Sequence, residues 1–232
     1  MVEIKGLEKF ASCDFPGHIS STVFVGGCNF RCPFCHNADL VLNPGRLPSL
    51  DLNLFLSYLD SRKGWLDGLC LSGGEPLLQE DIEVLARVIK DRGYLVKLDT
   101  NGSFPDRLEY LIQQELVDWV AMDIKGPLAR YQEIVRAEVD PEKINRSQEI
   151  IRHSGLPYIF RTTVVPGLLT EADLEEIAEW LRGARCFQLQ QFVPQNTVDP
   201  EFLKREPYPA EVLRHWAEEL RPFFDEVRLE GV

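Results

Sequence analysis

From residue 20 onward, short β-branched and aromatic runs alternate with longer stretches of helical apolar spacing, and this rhythm limits the possible folds more than any other feature. Strands are expected at 20–25, 68–72, 94–99, 118–124, 158–165 and 186–192, with a last short one around 226–229. Ser49 or Asp51 can cap a first helix that carries Leu52, Phe55, Leu56 and Leu59 on one stripe. Further helices are expected at 79–92, 105–115, 141–154, 170–183 and 209–221. Strands that alternate with helices imply a parallel sheet with right-handed crossovers. Six such βα units fall short of the eight in a closed barrel. The expected fold is therefore α/β, a partial (β/α)6 barrel of the TIM type, open on one side. At 232 residues the chain reads as one domain: a lead-in at 1–19, core strands and helices at 20–192, and a loop, helix and short strand at 193–232.

The chemistry concentrates in GGCNFRCPFCHN, residues 26–37, directly after the first expected strand. Gly26 and Gly27 let the backbone turn sharply there. Cys28, Cys32 and Cys35 follow in the order Cys-x-x-x-Cys-x-x-Cys, and soft sulfur ligands so closely spaced select an iron–sulfur cluster or zinc. A structural zinc wants four closed ligands, which His36 could complete. An electron-carrying cluster usually has four cysteines. A cubane on three thiolates instead leaves one iron open to a substrate or cosubstrate. Cys13, Cys70 and Cys186 are scattered, and each is expected to be a small buried hydrophobe.

Six cysteines with three clustered suggest metal chemistry in a reducing compartment rather than a disulfide scaffold. No run approaches the ~18 apolar residues of a membrane helix, and MVEIKGLEKF lacks the layout of a signal peptide. The expectation is a cytoplasmic protein without a membrane anchor. A net charge of −12 weighs against nucleic acid as the main partner. DFPG, residues 14–17, has the Pro-then-Gly order of a type II turn. Residues 126–140 form the longest connection without a clear element, with about one helical turn expected at 128–135.

The cysteine loop, with Phe34 before its last cysteine, resembles the signature of the radical S-adenosylmethionine (radical SAM) superfamily. The further run of CDFPG (13–17), LSGGEPLL (71–78), LDTNG (98–102), MDIK (122–125) and QNT (195–197) resembles, more narrowly, the activating enzymes of glycyl-radical enzymes. Within those it is most similar to activating proteins of anaerobic ribonucleoside-triphosphate reductase. The resemblance implies a partial-barrel radical SAM core and one [4Fe-4S] cluster on Cys28, Cys32 and Cys35, with SAM chelated at the open iron. It also implies reductive cleavage of SAM to a 5′-deoxyadenosyl radical that takes hydrogen from a backbone glycine of a partner enzyme. Anaerobic ribonucleotide reductase is the first candidate partner, and reduced flavodoxin or ferredoxin the candidate electron donor. Pyruvate formate-lyase or another glycyl-radical enzyme is the nearer alternative substrate. A small-molecule reaction such as that of 7-carboxy-7-deazaguanine synthase is the more distant one.

The same resemblance assigns cofactor contacts. Gly73, Gly74 and Glu75 of SGGEP would meet the SAM amino group, and Phe34 would pack over the adenine. Asp99, Thr100 and Asn101 form an oxygen-rich set suited to ribose hydroxyls or a hard cation. In pyruvate formate-lyase activating enzymes, which LDTNG resembles, the Asp and Thr help hold a monovalent cation beside SAM. Asp123 and Lys125 of MDIK would contact SAM, Arg161 could pair with a carboxylate, and Gln188 and Gln190 share a strand face on the adenosine side. No acid or base side chain is required, because cluster and SAM carry the chemistry.

Overall fold

The structure, a computed structural model, describes residues 2–232. Its strands are β1 (Ile4–Ala11), β2 (Ser20–Val25), β3 (Gly68–Gly73), β4 (Leu95–Thr100), β5 (Trp119–Asp123), β6 (Tyr158–Val164), β7 (Cys186–Gln191) and β8 (Glu226–Glu230). They form one sheet in chain order, β1 to β8. Strands β2 to β8 are parallel and β1 pairs antiparallel with β2, so the sheet curls without closing and β1 and β8 are its two edges. This is the expected partial barrel with one strand added in front.

That added strand is a correction to the lead-in reading of residues 1–19. IKGLEKFA carries three charged residues and a glycine, a weak strand signal, yet β2 offers it an unpaired edge. Its charges suit an edge that must not recruit another chain.

The helices are α1 (Ala38–Leu42), α2 (Leu52–Ser61), α3 (Ile82–Lys90), α4 (Pro105–Gln113), α5 (Tyr131–Val135), α6 (Pro141–His153), α7 (Glu171–Trp180) and α8 (Ala210–Leu220). Their ends are set by local chemistry. Asp51 caps α2 by accepting from Leu54 N, and Thr170 and Asp173 form a reciprocal capping box on α7. Residues 79–81, expected as the first turn of α3, instead follow a 3₁₀ turn at Pro76–Leu78. The connection 126–140 holds a 3₁₀ turn at Leu128–Arg130 and then α5. Among the described residues, no helix is long and apolar enough to cross a membrane.

Strand periodicity separates two environments. Val23, Leu69, Leu71, Val96, Leu98, Val120, Met122, Phe160, Phe187 and Leu189 point outward into the apolar layer beneath the helices. The inner face is sealed at the strand starts by a small cluster of Phe15, Trp119, Ala121, Ile159 and Cys186. Phe15 comes from the DFPG turn, so this turn plugs the bottom of the barrel rather than only leading toward the cysteine loop. Cys70 and Cys186 are buried as expected, whereas Cys13 is exposed on the same turn, beside Ser12.

Candidate active site

Above the plug, at the C-terminal ends of the strands, lies a cleft of about 260 Å³. The three cysteines of the 26–37 loop all reach its wall, together with Phe34, Gly73, Gly74, Asp99, Thr100, Asn101, Asp123, Lys125, Arg161 and Gln190. These residues come from the ends of β2 to β7 and the loops that follow them, where α/β folds place reacting groups.

Backbone contact between two glycine turns holds the cysteine loop. Gly74 N donates to Val25 O at 2.9 Å and Glu75 N donates to Gly27 O at 2.8 Å. Asn37 Nδ2 reaches Gly73 O at 2.8 Å, and Gln79 Nε2 reaches Gly26 O at 2.7 Å. From the far side, residues 193–199 form a strap. Val198 N donates to Cys35 O, Asp199 N to Pro33 O, and Asn196 Nδ2 to His36 O. His36 Nε2 lies 2.6 Å from Val193 O and so is engaged by the strap rather than turned toward the thiols.

The donor set fits a cluster. The three cysteines share one cleft, and two N–H groups, Phe30 N at 3.4 Å and Asn101 Nδ2 at 3.8 Å, approach Cys28 Sγ, as donors do around cluster sulfurs.

Glu75 departs from the expected contact with an ammonium group. Its carboxylate is fully buried, where Oε1 accepts from Leu77 N at 3.0 Å and Thr100 Oγ1 at 2.8 Å, and Oε2 accepts from Asn101 N at 2.7 Å. The side chain therefore ties SGGEP to LDTNG from behind, and Ser72, Gly73 and Gly74 of the motif face the cleft while Glu75 does not. Burial pushes its carboxyl up from the ordinary 4.5 to about 7, against the pull of those three donors. A folded value above the unfolded one gives stability that is full below about 4.5 and lost as pH rises through about 7. The stability advantage of the parent over Glu75→Gln is accordingly expected to shrink between about pH 5 and pH 8. Urea midpoints of the two proteins that run parallel across that window would contradict this.

On the inner face, charged side chains form a ladder. Arg161 stands opposite Asp123 in the β5–β6 register, and its Nε donates to Asp123 Oδ1 at 2.9 Å while Nη1 reaches Asp99 Oδ2 at 3.3 Å. Lys125 Nζ donates to Asp123 Oδ2 at 3.1 Å. Burial works to raise the Asp123 carboxyl, but Arg161 and Lys125 outweigh it and hold the group at about 2. Asp99 is likewise lowered, by Arg161 and Lys97 against burial. Both aspartates are thus charged at any physiological pH. Tyr131, buried at the start of α5, accepts from Lys125 N at 3.2 Å and steadies the Asp123–Lys125 turn.

Gln190 lines the cleft, whereas Gln188 one layer deeper does not, and both amides donate to Glu230 on β8. Sequence reasoning missed Ser72, Thr163 and Asn37 on the wall, and Lys97 beneath it. Lys97 had a readable signal: it lies two positions before Asp99 in a strand, so the two must share a face.

Residues 22–181 match the family model described as the radical SAM superfamily. Over 97% of its length the chain is 35% identical to a Methanocaldococcus jannaschii protein provisionally named as a glycyl-radical enzyme activating enzyme, covering 94% of that protein. It is 31% identical to the pyruvate formate-lyase-activating enzyme of Streptococcus mutans, covering 90% of this chain and 83% of that one. Among solved structures, Streptococcus suis SuiB bound to its precursor peptide SuiA superposes with a TM-score of 0.69 at 14% identity, over 88% of this chain and 47% of SuiB, a likeness of fold alone.

Proposed function

Because the chain belongs to the radical SAM superfamily, whose members hold a [4Fe-4S] cluster and SAM, we propose that it is the activase of a glycyl-radical enzyme, with anaerobic ribonucleoside-triphosphate reductase as the partner. The observation that carries this reading is the wall of the cleft: three cysteines, with no fourth among the described residues, facing the backbone of Gly73 and Gly74 and the cations Lys125 and Arg161. The near full-length similarity to the M. jannaschii protein supports the activase class over other radical SAM chemistries.

When bound, the cluster supplies one electron, drawn from reduced flavodoxin or ferredoxin, that cleaves SAM to methionine and a 5′-deoxyadenosyl radical. Cys28, Cys32 and Cys35, which share the cleft wall, would hold the cluster. Gly73 and Gly74 keep side chains away from the amino-acid end of SAM, and Lys125 and Arg161 offer positive charge to its carboxylate. Phe34 and Gln190 stand on the adenosine side. The remaining work of the protein is positioning and the exclusion of other targets. A backbone glycine of the partner would be the hydrogen donor to that chemistry and would be left as a glycyl radical. Glycine suits this step because its flanking amides delocalise the unpaired electron and it has no side chain to block approach. The sheet does not close between β1 and β8, and a peptide loop of the partner would approach from that side.

Anaerobically reconstituted protein with dithionite is expected to release 5′-deoxyadenosine from SAM. With SAM and anaerobic ribonucleotide reductase it should produce the glycyl-radical doublet in electron paramagnetic resonance. A doublet with pyruvate formate-lyase alone would reassign the partner. SAM cleavage without a doublet on any glycyl-radical enzyme would overturn the activase reading, and iron uptake without SAM cleavage would leave an electron carrier.

A further inference from the structure

The monovalent cation implied by LDTNG needs oxygen ligands that this chain has already committed. Asp99 Oδ1 accepts from Lys97 Nζ, and Asp99 Oδ2 faces Arg161 Nη1 and Nη2, each at 3.3 Å, and Ser72 Oγ at 3.4 Å. The two oxygens of Asp123 are taken by Arg161 and Lys125. A hard cation is held by several oxygens at once, yet each carboxylate oxygen here already meets a cationic side chain. The ladder carries three cations, Lys97, Arg161 and Lys125, against two carboxylates. One positive charge is left over, enough to balance a single added carboxylate.

Lys97 is the unusual member. Its side chain is 2% exposed, beneath the cleft, with Cys70 Sγ at 3.6 Å and the Trp119 ring centroid at 5.3 Å. Its neighbours in the sheet register are Cys70 and Trp119, so an apolar residue would suit that level of the barrel. Burying an ion pair where apolar packing would serve adds little to stability, so the ammonium calls for another explanation.

We propose that Lys97 is a built-in replacement for the monovalent cation: its ammonium supplies from within the barrel the charge that an ion would bring to Asp99, and SAM binding requires neither K⁺ nor Na⁺. The inference rests on the SAM-binding reading above and makes Lys97 a positioning residue that acts through Asp99. A lysine ammonium is a compact point charge, so the substitution is electrostatically close. It is also permanent, because the ion is part of the chain.

The test measures SAM affinity of the reconstituted holoenzyme by equilibrium dialysis in KCl, NaCl and N-methylglucamine chloride at matched ionic strength. The parent is expected to vary by less than about twofold among the three salts. Lys97→Met keeps most of the aliphatic bulk but removes the ammonium beside Asp99, and is expected to bind SAM about tenfold more weakly in N-methylglucamine, with recovery on adding KCl or NaCl. A parent whose affinity falls about tenfold without K⁺ and Na⁺ would overturn the proposal. So would a Lys97→Met protein that melts cooperatively yet is not rescued by either ion. Should Lys97→Met fail to fold, the salt series on the parent still decides. Absence of SAM binding in every salt would overturn the proposed function itself and this inference with it, an outcome distinct from cation-dependent binding.

Discussion

Anaerobic reconstitution of Cys32→Ala is expected to yield a folded chain that retains no stable cluster and releases no 5′-deoxyadenosine from SAM. Cys32 lies on the cleft wall at 6% exposure, between the other two thiols in sequence. Losing one of three ligands leaves two irons without protein thiolate, whereas loss of one small buried side chain costs only about 1 kcal/mol of folding stability. Cys70→Ala and Cys186→Ala should load iron like the parent. Cys70 sits below the cleft beside Lys97, and Cys186 belongs to the apolar plug, so neither stands on the cleft wall. Iron per chain after gel filtration checks all three, and iron loss in either of the last two would mean that the ligands are misassigned.

Gly74→Ala should be the most damaging single change in the glycine turns. A Cβ at residue 74 would fall 1.9 Å from Gly27 O and 2.6 Å from Gly27 C. The obstacle is backbone, already fixed by the hydrogen bonds from Gly74 N and Glu75 N that hold the cysteine loop. It cannot swing aside as a side-chain tip would. The two turns must separate, at a cost of about 3 kcal/mol or more, and with them the cysteines lose their positions. Gly45→Ala is the control, since a Cβ there meets nothing within 4 Å and should change stability by less than about 0.5 kcal/mol. Equal urea midpoints for the two variants would refute the account of the paired turns.

Much of this architecture is legible in the chain. The βα rhythm places every strand from β2 to β8 within a residue or two, because buried parallel strands need compact β-branched runs and the helices between them show a 3.6-residue stripe. Strand β1 was not legible because an edge strand exists through its partner, and IKGLEKFA has no strong pattern of its own. Helix α1 is a short segment after the cysteine loop, too brief to show periodicity. The motif glycines, cysteines and acidic residues were visible, but their orientations were not. Glu75 looked free to greet a ligand and is instead spent on Leu77, Thr100 and Asn101.

By itself, the sequence determined which residue types stand at the strand ends and which strand residues share a face, since both follow from a local period of two. It also determined that three thiols leave one loop together. Tertiary structure decided which of those polar groups face the cleft and which cation neutralises which carboxylate. Arg161 lies 38 residues from Asp123 and 62 from Asp99, and the pairing exists only because parallel register brings β4, β5 and β6 side by side. Electrostatic partnership acts over a few ångströms of space, a distance that strand order sets and chain separation does not.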